Sequence, residues 1–292
     1  MKAYVLKLEL LSNLHVGDEG GMGLVDNSVQ RDSVLEDMPI IPGSGVKGAL
    51  REYFRRKGLA EENDIFGYPP PKDGKGEKKS GDGKYKFFDA FCLARPLRVS
   101  SEGDTPYVLA TSTAIIDHTV KLLQGIGFDL SCDKNGRSFA ELIGDIESLA
   151  HSFRDKTQFL VPTDKTSIKT IEGETVASMP DNTGGQYVRQ LLDKLIGNSD
   201  WAIAKNLNDY DLPVRARNSL EGTGNLWFEE YVPHKSIFLA PLLTPDGDDG
   251  ALLDLKDKDP VQFGAGASVG MGYAKVSVHD RLPLASTTEG QK

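Results

Sequence analysis

Residues 41–51 read IPGSGVKGALR, a stretch that turns the chain from a proline-bounded loop into a helix. An apolar stripe at helical spacing begins within this stretch and consists of Val46, Ala49, Leu50, Tyr53 and Phe54. Ser44 precedes the stripe as the predicted N-cap, and Gly58 follows it as the predicted end of the helix. The stretch therefore predicts an amphipathic helix with one buried face.

The opposite face of this predicted helix is basic, with Lys47, Arg51 and Arg55 on its exposed side. Free N–H groups at a helix N-terminus attract phosphate, and so do basic side chains nearby. The pattern differs from a P-loop, because Lys47 precedes the last glycine and no serine or threonine follows it. We therefore expect either a general anion-binding site or an ordinary solvated helix face.

Two segments lead from the N-terminus to this helix. The first is a half-buried strand over residues 4–10, in which apolar residues alternate with Lys7 and Glu9. The second is LVDNSVQRD at residues 24–32, which follows a glycine-rich loop. An aspartate before an asparagine, as at Asp26, is by itself typical of a turn.

The chain beyond the helix mixes strands and helices without βαβ regularity, which favours the α+β class. The patterns predict strands within 87–111 with breaks at Pro96 and Pro106, helices at 139–153 and 188–196, and strands within 226–242 and 273–278. Two stretches interrupt this order, a Lys/Gly-rich one at about 69–86 and an acidic one at 244–260. Their composition predicts surface insertions.

The composition excludes several classes of protein. The 292 residues are 39% hydrophobic and 26% charged, and no stretch approaches the ~18 apolar residues of a membrane span. The charged N-terminus does not resemble a signal peptide, which predicts a cytoplasmic protein. Cys92 and Cys132 are not spaced as in a disulfide framework or a Cys-x-x-Cys motif. No two of the five histidines have the short spacing of a zinc site. Net charge is −9, but the basic helix face allows an acidic protein to bind nucleic acid locally.

Two segments near the C-terminus have distinctive patterns. Residues 264–272, GAGASVGMG, lack the following helix that a dinucleotide-binding turn requires. They predict either a tight turn before a strand or a backbone surface that a phosphodiester chain can approach closely. Residues 226–233, LWFEEYVP, predict a strand with two acids, Glu229 and Glu230, beside a hairpin turn.

Taken in order, these segments resemble the RAMP superfamily of CRISPR proteins. The matching stretches are NLHVG at 13–17, the Asp26 loop at 24–32, the helix start at 42–51 and the glycine stretch at 264–272. Residues 88–100 and 227–233 are similar to the repeated backbone subunit of the type III-B (Cmr) effector. The type III-A backbone subunit shares the Asp26 loop and the helix start and is the neighbouring alternative.

The resemblance implies a fold and a set of partners. We expect one RAMP domain over residues 1–292, with a modified ferredoxin-like (RRM-related) core, an inserted lid and a β-hairpin thumb. Insertions are expected at about 69–86, 165–225 (thumb-like) and 244–260. The implied partners are guide RNA, target RNA, further copies of the chain and other subunits of a type III CRISPR complex.

The resemblance also implies endoribonuclease chemistry. Asp26 is the expected catalytic residue, and it would recruit Mg²⁺ or another divalent cation or orient the attacking 2′-hydroxyl. His15 is either an acid or base or a hydrogen-bonding residue at the strand end. The roles of Glu229 and Glu230 stay open.

Contacts with RNA are implied for eight residues. These are Arg31, Ser44, Lys47, Arg51, Gly264, Gly266, Gly270 and Gly272. The alternative is a non-catalytic structural subunit that only binds guide RNA and its neighbours. A guide-processing endoribonuclease of the same superfamily ranks lower, since it would depend on His15.

Overall fold

The structure of the chain is a computed structural model. It describes residues 1–17, 25–59, 61–68, 81–102, 106–130, 139–153, 156–165, 167–179, 186–197, 201–208, 210–218, 226–253, 255 and 259–284.

Helices and strands alternate irregularly along these ranges. The helices are α1 (Gly43–Lys57), α2 (Glu62–Phe66), α3 (Thr113–Gly125), α4 (Phe139–Ala150), α5 (Gln186–Leu195) and α6 (Gly250–Leu253), with a 3₁₀ turn at Ala267–Val269. The strands are β1 (Lys2–Leu10), β2 (Arg31–Asp32), β3 (Met38–Ile41), β4 (Lys86–Phe87), β5 (Ala90–Ser101), β6 (Tyr107–Ser112), β7 (Phe159–Val161), β8 (Ile168–Ile171), β9 (Glu174–Ser178), β10 (Trp201–Ala204), β11 (Val214–Asn218), β12 (Leu226–Glu230), β13 (Ile237–Thr244), β14 (Val261–Gln262) and β15 (Tyr273–His279). The predicted α+β class is confirmed, as are the helices within 139–153 and 188–196.

Strand β1 lies at the centre of the sheet that organises the fold. It pairs antiparallel with β13 on one edge and with β15 on the other, and β13 pairs antiparallel with β5. The order is therefore β15-β1-β13-β5, and α1 lies in the connection from β1 to β5. Leu6, Leu8 and Leu10 are fully buried while Lys7 and Glu9 are half-buried, which confirms the predicted alternation.

Helix α1 confirms the predicted amphipathic helix, and Gly58 ends it with a φ of 74°. The predicted N-cap is wrong, because Pro42 occupies that position and Ser44 lies in the first turn. The Gly43 N–H instead donates to the Asp89 carboxylate, with 2.6 Å between nitrogen and Oδ1. Asp89 thus satisfies one of the N–H groups that a bound anion would otherwise use.

Strand β5 continues through Pro96, so the break predicted there is wrong. One edge of β5 pairs with β13 as far as Ala94 and with β8 from Val99 onwards. Pro96 lies between these two partners, where no ladder on that edge requires the N–H group that proline lacks. The break predicted at Pro106 is confirmed, because β6 begins at Tyr107.

Helix α3 follows β6 directly and was not predicted from the sequence. The Ser112 hydroxyl caps this helix by accepting the Ile115 N–H, at 3.2 Å. Its buried residues recur at helical spacing, namely Ile115, Ile116, Thr119, Val120 and Leu123. The serine cap and this spacing were available signals, but the β-branched residues that surround them favour a strand.

The segment at 165–225, predicted as a thumb-like insertion, contains strands of two different sheets. Strands β8, β9 and β10 lie within that range, yet they belong to the main sheet in the order β5-β6-β10-β7-β9-β8. Among the described strands, only β11 and β12 form a separate ribbon, in the register Val214↔Glu230 to Asn218↔Leu226. We call residues 214–218 and 226–230 the hairpin.

The other two predicted insertions are largely at the surface where the structure describes them, but each has buried side chains. Residues 69–80 lie outside the described part, but Tyr85 is buried. Leu252 and Leu255 are also buried, so the acidic segment at 244–260 is anchored to the core through apolar residues. Asp249 adds a polar anchor there by accepting the Tyr4 hydroxyl, at 2.5 Å.

The described residues also bear on the cysteine and membrane predictions. Cys92 is a buried free thiol whose pKa is raised to about 12 by burial, which fits a small core residue. Cys132 lies outside the described residues. Across the described ranges, no helix combines the length and apolarity needed to cross a membrane.

Candidate functional site

The Asp26 loop docks on strand β12. The backbone N–H groups of Asp26 and Asn27 both donate to the Phe228 carbonyl, at 3.1 Å. In return, the Phe228 N–H donates to Oδ2 of Asp26, at 2.7 Å. Asp26 is nevertheless exposed, so the structure holds its carboxylate at the surface by one oxygen. The preceding residues 18–24 lie outside the described part of the chain.

Glu230 joins the same loop to β12 from the buried side. Its N–H donates to the Asn27 carbonyl at 2.9 Å. Its carboxylate accepts the Val29 N–H at 3.0 Å and the Arg31 guanidinium at 2.5 Å. Glu230 is 7% exposed, and it therefore links three separate points of the loop from within the protein.

His15 contacts the backbone carbonyl of Glu230. Its Nδ1 is 2.7 Å from the Glu230 carbonyl oxygen. A carbonyl can only accept, so Nδ1 carries the proton and Nε2 is the acceptor of the neutral ring. His15 is 6% exposed, and a Cβ placed on Gly17 would lie 3.1 Å from Nε2, so the glycine passes close to this edge of the ring.

The glycine stretch passes beside His15. The Ala265 N–H donates to the His15 carbonyl at 2.9 Å, and a Cβ at Gly264 would overlap that carbonyl. A Cβ at Gly272 would overlap the Phe263 carbonyl, and both glycines have positive φ. Close backbone packing thus accounts for these two positions. Gly270 also has positive φ, but a Cβ there would meet nothing within 4 Å.

One face of the hairpin carries two arginines that sequence analysis missed. The Arg215 Nη2 and the Arg217 Nη1 lie 2.7 and 3.2 Å from Oε2 of Glu229, which is 6% exposed. Arg215 also contacts Met271, so it ties the hairpin to the glycine stretch. Two arginines at period two, opposite a glutamate in the partner strand, were the available signal.

The other face of the hairpin exposes three large apolar side chains. Val214 is 45%, Leu226 63% and Phe228 41% exposed. Phe228 is the same residue whose backbone holds Asp26. An apolar surface with an aromatic ring therefore adjoins the exposed carboxylate.

On α1 the predicted basic face is mostly neutralised. Arg51 is not free on the surface as predicted, because its guanidinium contacts Glu62 at 2.6 Å and also Asn63 and the Gly67 carbonyl. The other pairs on this helix are Arg55–Glu52, Arg56–Glu52 and Lys57–Asp259. Lys47 is half-buried and makes no ion pair within the described residues, while Ser44 is exposed.

A cleft of about 390 Å³ separates α1 from the glycine stretch. Its walls include Gly45, Gly48 and Tyr53 on α1, and Gln262, Gly264 and Tyr273 opposite. The predicted site residues thus fall into two neighbouring groups. His15, Asp26 and Arg31 lie around Glu230. Gly264 lines the cleft, and Ser44 and Lys47 are next in the chain to its lining residues Gly45 and Gly48.

The RAMP superfamily profile matches residues 7–275, most of the chain. The chain belongs to the RAMP superfamily. This RAMP protein is 26% identical to the CRISPR system Cmr endoribonuclease Cmr4 of Pyrococcus furiosus, over 96% of the chain and 97% of that relative. The predicted family is therefore confirmed, and the likeness is to Cmr4.

Solved structures agree on the fold of this RAMP protein. Oligomeric Cmr4 from Pyrococcus furiosus superposes with a TM-score of 0.65 at 20% identity, over 96% of this chain and 98% of that chain. A chain in the type III-B Cmr-beta complex bound to cognate target RNA gives 0.68 at 18% identity, over 95% and 97%.

Proposed function

We propose that the chain is the guide-RNA-binding backbone subunit of a type III-B CRISPR effector and cleaves complementary target RNA through Asp26. The carrying observation is that the Asp26 carboxylate is exposed but fixed, beside the exposed apolar face of the hairpin. The likeness over nearly the whole chain to a protein named a Cmr endoribonuclease supports the same activity.

In the proposed reaction, the 2′-hydroxyl of a target nucleotide attacks the adjacent phosphorus in line. The 2′-oxygen loses its proton and bonds to phosphorus, while the bond from phosphorus to the 5′-oxygen breaks and that oxygen gains a proton. The products are a 2′,3′-cyclic phosphate and a 5′-hydroxyl. DNA lacks the 2′-hydroxyl, so selectivity for RNA follows from the chemistry.

We assign the recruitment of a divalent cation to the Asp26 carboxylate, through Oδ1, the oxygen that does not bond to Phe228. The described residues contain no cluster of three His, Cys, Asp or Glu side chains that could cage a metal ion. A single carboxylate still fits Mg²⁺, which keeps several waters and takes phosphate oxygens as further ligands. A bound cation would neutralise charge that develops on the phosphate. His15 is the candidate for proton transfer, through Nε2.

Substrate positioning is assigned to the hairpin. Leu226 and Phe228 offer an apolar surface next to Asp26 on which an unstacked nucleotide can rest. Base–aromatic stacking contributes ~1–3 kcal/mol, and fixing an in-line geometry can contribute ~7–11 kcal/mol to lowering the barrier. We therefore expect much of the rate to depend on the hairpin as well as on Asp26.

The guide RNA backbone is assigned to the cleft between α1 and the glycine stretch. Gly264 lines the cleft itself, and Ser44 and Lys47 are next in the chain to its lining residues Gly45 and Gly48. Ser44, Lys47 and Gly270 are assigned to direct contact, since internal packing does not account for them. The remaining predicted contact residues would act indirectly, by holding the backbone and side chains around the RNA surface in place. These are Arg31, Arg51, Gly264, Gly266 and Gly272. Backbone contacts carry no sequence information, so base pairing between guide and target supplies specificity.

We also infer a modified ferredoxin-like core and self-assembly. Support for the core comes from the antiparallel order β15-β1-β13-β5, with α1 crossing from β1 to β5. The similar Cmr4 from Pyrococcus furiosus is oligomeric, which supports further copies of the chain as partners. The similar chain of the Cmr-beta complex belongs to a larger assembly on target RNA, which supports other complex subunits and RNA as partners.

A second candidate, the non-catalytic structural subunit, also has an observation in its favour. Oδ2 of Asp26 accepts the Phe228 N–H, so this aspartate has a structural contact of its own. The deciding experiment is to assemble the complex with guide RNA and add labelled target RNA, first with Mg²⁺ and then with EDTA. Cleavage at regular intervals that EDTA stops and Asp26→Asn abolishes supports the enzyme. Equal cleavage by the Asp26→Asn complex overturns it.

A further inference from the structure

We propose that Glu230 is the positioning residue of the Asp26 loop, a role that rests on the proposed function. Four groups of this residue contact four different partners. Its N–H and carbonyl bond to Asn27 and His15, and its two carboxylate oxygens bond to Val29 and Arg31. Glu230 thus bonds directly to His15 and, through Asn27, Val29 and Arg31, to the segment that follows Asp26.

The carboxylate of Glu230 acts from behind the site. Glu230 is 7% exposed and both carboxylate oxygens are engaged, so it has no oxygen left over for substrate. Its removal would leave the buried Val29 N–H without this acceptor, and an unpaired buried polar group is costly. Arg31 would keep only its bond to the Asp37 carbonyl among the described contacts of its guanidinium. The loop would then shift or loosen, although Asp26 itself is unchanged.

Backbone bonds hold the loop on two sides, to β12 at Asp26 and Asn27 and to Val16 and Ile40 at Gln30. Phe228 and Glu230 bond to Asp26 and Asn27, but among the described contacts the next bond from β12 to the loop is the one between the Glu230 carboxylate and Val29. The bond to Val29 and the ion pair with Arg31 hold residues 29–31 against Glu230 at the end of β12. A misplacement of ~1 Å in a catalytic group can cost ~100-fold in rate.

Glu172 provides a matched control at a distance from the loop. Its carboxylate accepts the Arg98 N–H at 2.7 Å and the Arg98 guanidinium at 3.0 Å. It therefore makes the same two kinds of bond as Glu230, but between β5 and the turn before β9. Glu172→Ala and Glu172→Gln therefore remove contacts equivalent to those lost in the Glu230 variants, without changing a contact of the Asp26 loop.

The test uses the assembled complex with guide RNA and compares Glu230→Ala, Glu230→Gln, both Glu172 variants and Asp26→Ala. Single-turnover cleavage is measured across target RNA concentrations. Glu230→Ala is expected to lower the saturating rate by ~10- to 100-fold, with half-saturation within ~2-fold of wild type. Glu230→Gln keeps an oxygen for the Val29 N–H and is expected to lose less. The Glu172 variants are expected to cleave at the wild-type saturating rate.

Two further measurements separate positioning from a general loss of stability. Hydrogen exchange of the full chain is expected to rise at residues 26–31 in Glu230→Ala, with exchange in β1 and β13 unchanged. Arg31→Gln combined with Glu230→Gln is expected to cost less in rate than the two single changes together, because both break one pair.

The outcomes distinguish the two proposals. Wild-type saturating rates in both Glu230 variants, with Asp26→Ala inactive, overturn the role of Glu230 and leave the proposed function standing. Wild-type cleavage by Asp26→Ala overturns the proposed function. If Glu230→Ala does not assemble, the isosteric Glu230→Gln decides, and a wild-type rate with unchanged exchange at 26–31 overturns the inference.

Discussion

The backbone N–H of Phe228 donates to Oδ2 of Asp26 across 2.7 Å, while the Phe228 carbonyl accepts the Asp26 N–H across 3.1 Å. This reciprocal pair makes the Asp26 loop an additional edge of the hairpin, parallel to β12 at Asn27 and Glu229. Any movement of the hairpin therefore moves the carboxylate. RNA that shifted the hairpin on binding would therefore also shift the Asp26 carboxylate.

Asp26→Asn and Asp26→Ala are expected to separate the charge from the hydrogen bond. The asparagine amide oxygen still accepts the Phe228 N–H, whereas alanine leaves that donor to water. Both complexes are expected to assemble and bind guide RNA but to lose cleavage, and only Asp26→Ala is expected to speed exchange of the Phe228 amide. Cleavage retained by Asp26→Asn and lost by Asp26→Ala would assign the aspartate a structural role.

Lys47→Glu and Arg51→Glu are expected to act differently, although sequence analysis grouped these residues. Lys47 makes no ion pair within the described residues, so its reversal is expected to weaken binding of all guide sequences alike and to flatten the salt dependence. Arg51 is tied to Glu62, so its reversal is expected to lower Tm by several degrees. Guide titrations at several salt concentrations and thermal melts check both. Equal loss of guide affinity without a change in Tm would place Arg51 on the RNA.

The α1 face shows where prediction from sequence succeeded and failed. Local periodicity located the helix and its end at Gly58, because these depend on neighbouring residues. The charge state of its surface depends on Glu62 and Asp259, which reach Arg51 and Lys57 only after folding. The helix was therefore predictable, and the neutralisation of its basic face was not.

The site shows the same division. The resemblance indicated Asp26 and His15 as a motif, but Glu230 acquires its role through contacts about 200 residues away in sequence, to Val29 and Arg31. The hairpin arginines were also missed, since alternating charges on a short strand resemble an ordinary exposed surface. Hydrogen bonds between residues far apart in the chain are therefore the part of the site that could not be predicted from a single sequence.

Acid is expected to weaken the contact between α1 and α2. The hydrogen bond from Arg51 holds the pKa of Glu62 below its usual value of 4.5. A carboxyl with a depressed folded pKa stabilises the fold above its unfolded pKa, and that stabilisation is lost as pH falls through the lower folded pKa. Wild type is therefore expected to lose Tm more steeply than Glu62→Gln below pH 4.5. The effect is small because Glu62 is close to solvent. An equal fall of Tm with pH in wild type and Glu62→Gln below pH 4.5 would contradict a stabilising Arg51–Glu62 pair.

Gly272→Ala and Gly270→Ala are expected to distinguish internal packing from approach of the RNA. Both glycines have positive φ, 75° and 76°, so alanine costs each position a similar backbone strain of ~1 kcal/mol. At Gly272 the added Cβ also overlaps the Phe263 carbonyl, whereas at Gly270 it meets nothing within 4 Å. Gly272→Ala is therefore expected to lower Tm more. Gly270→Ala is expected to keep most stability but to weaken guide binding if the backbone approaches RNA closely there. Wild-type guide affinity in Gly270→Ala, measured at the same salt concentration, would remove Gly270 from the proposed RNA surface.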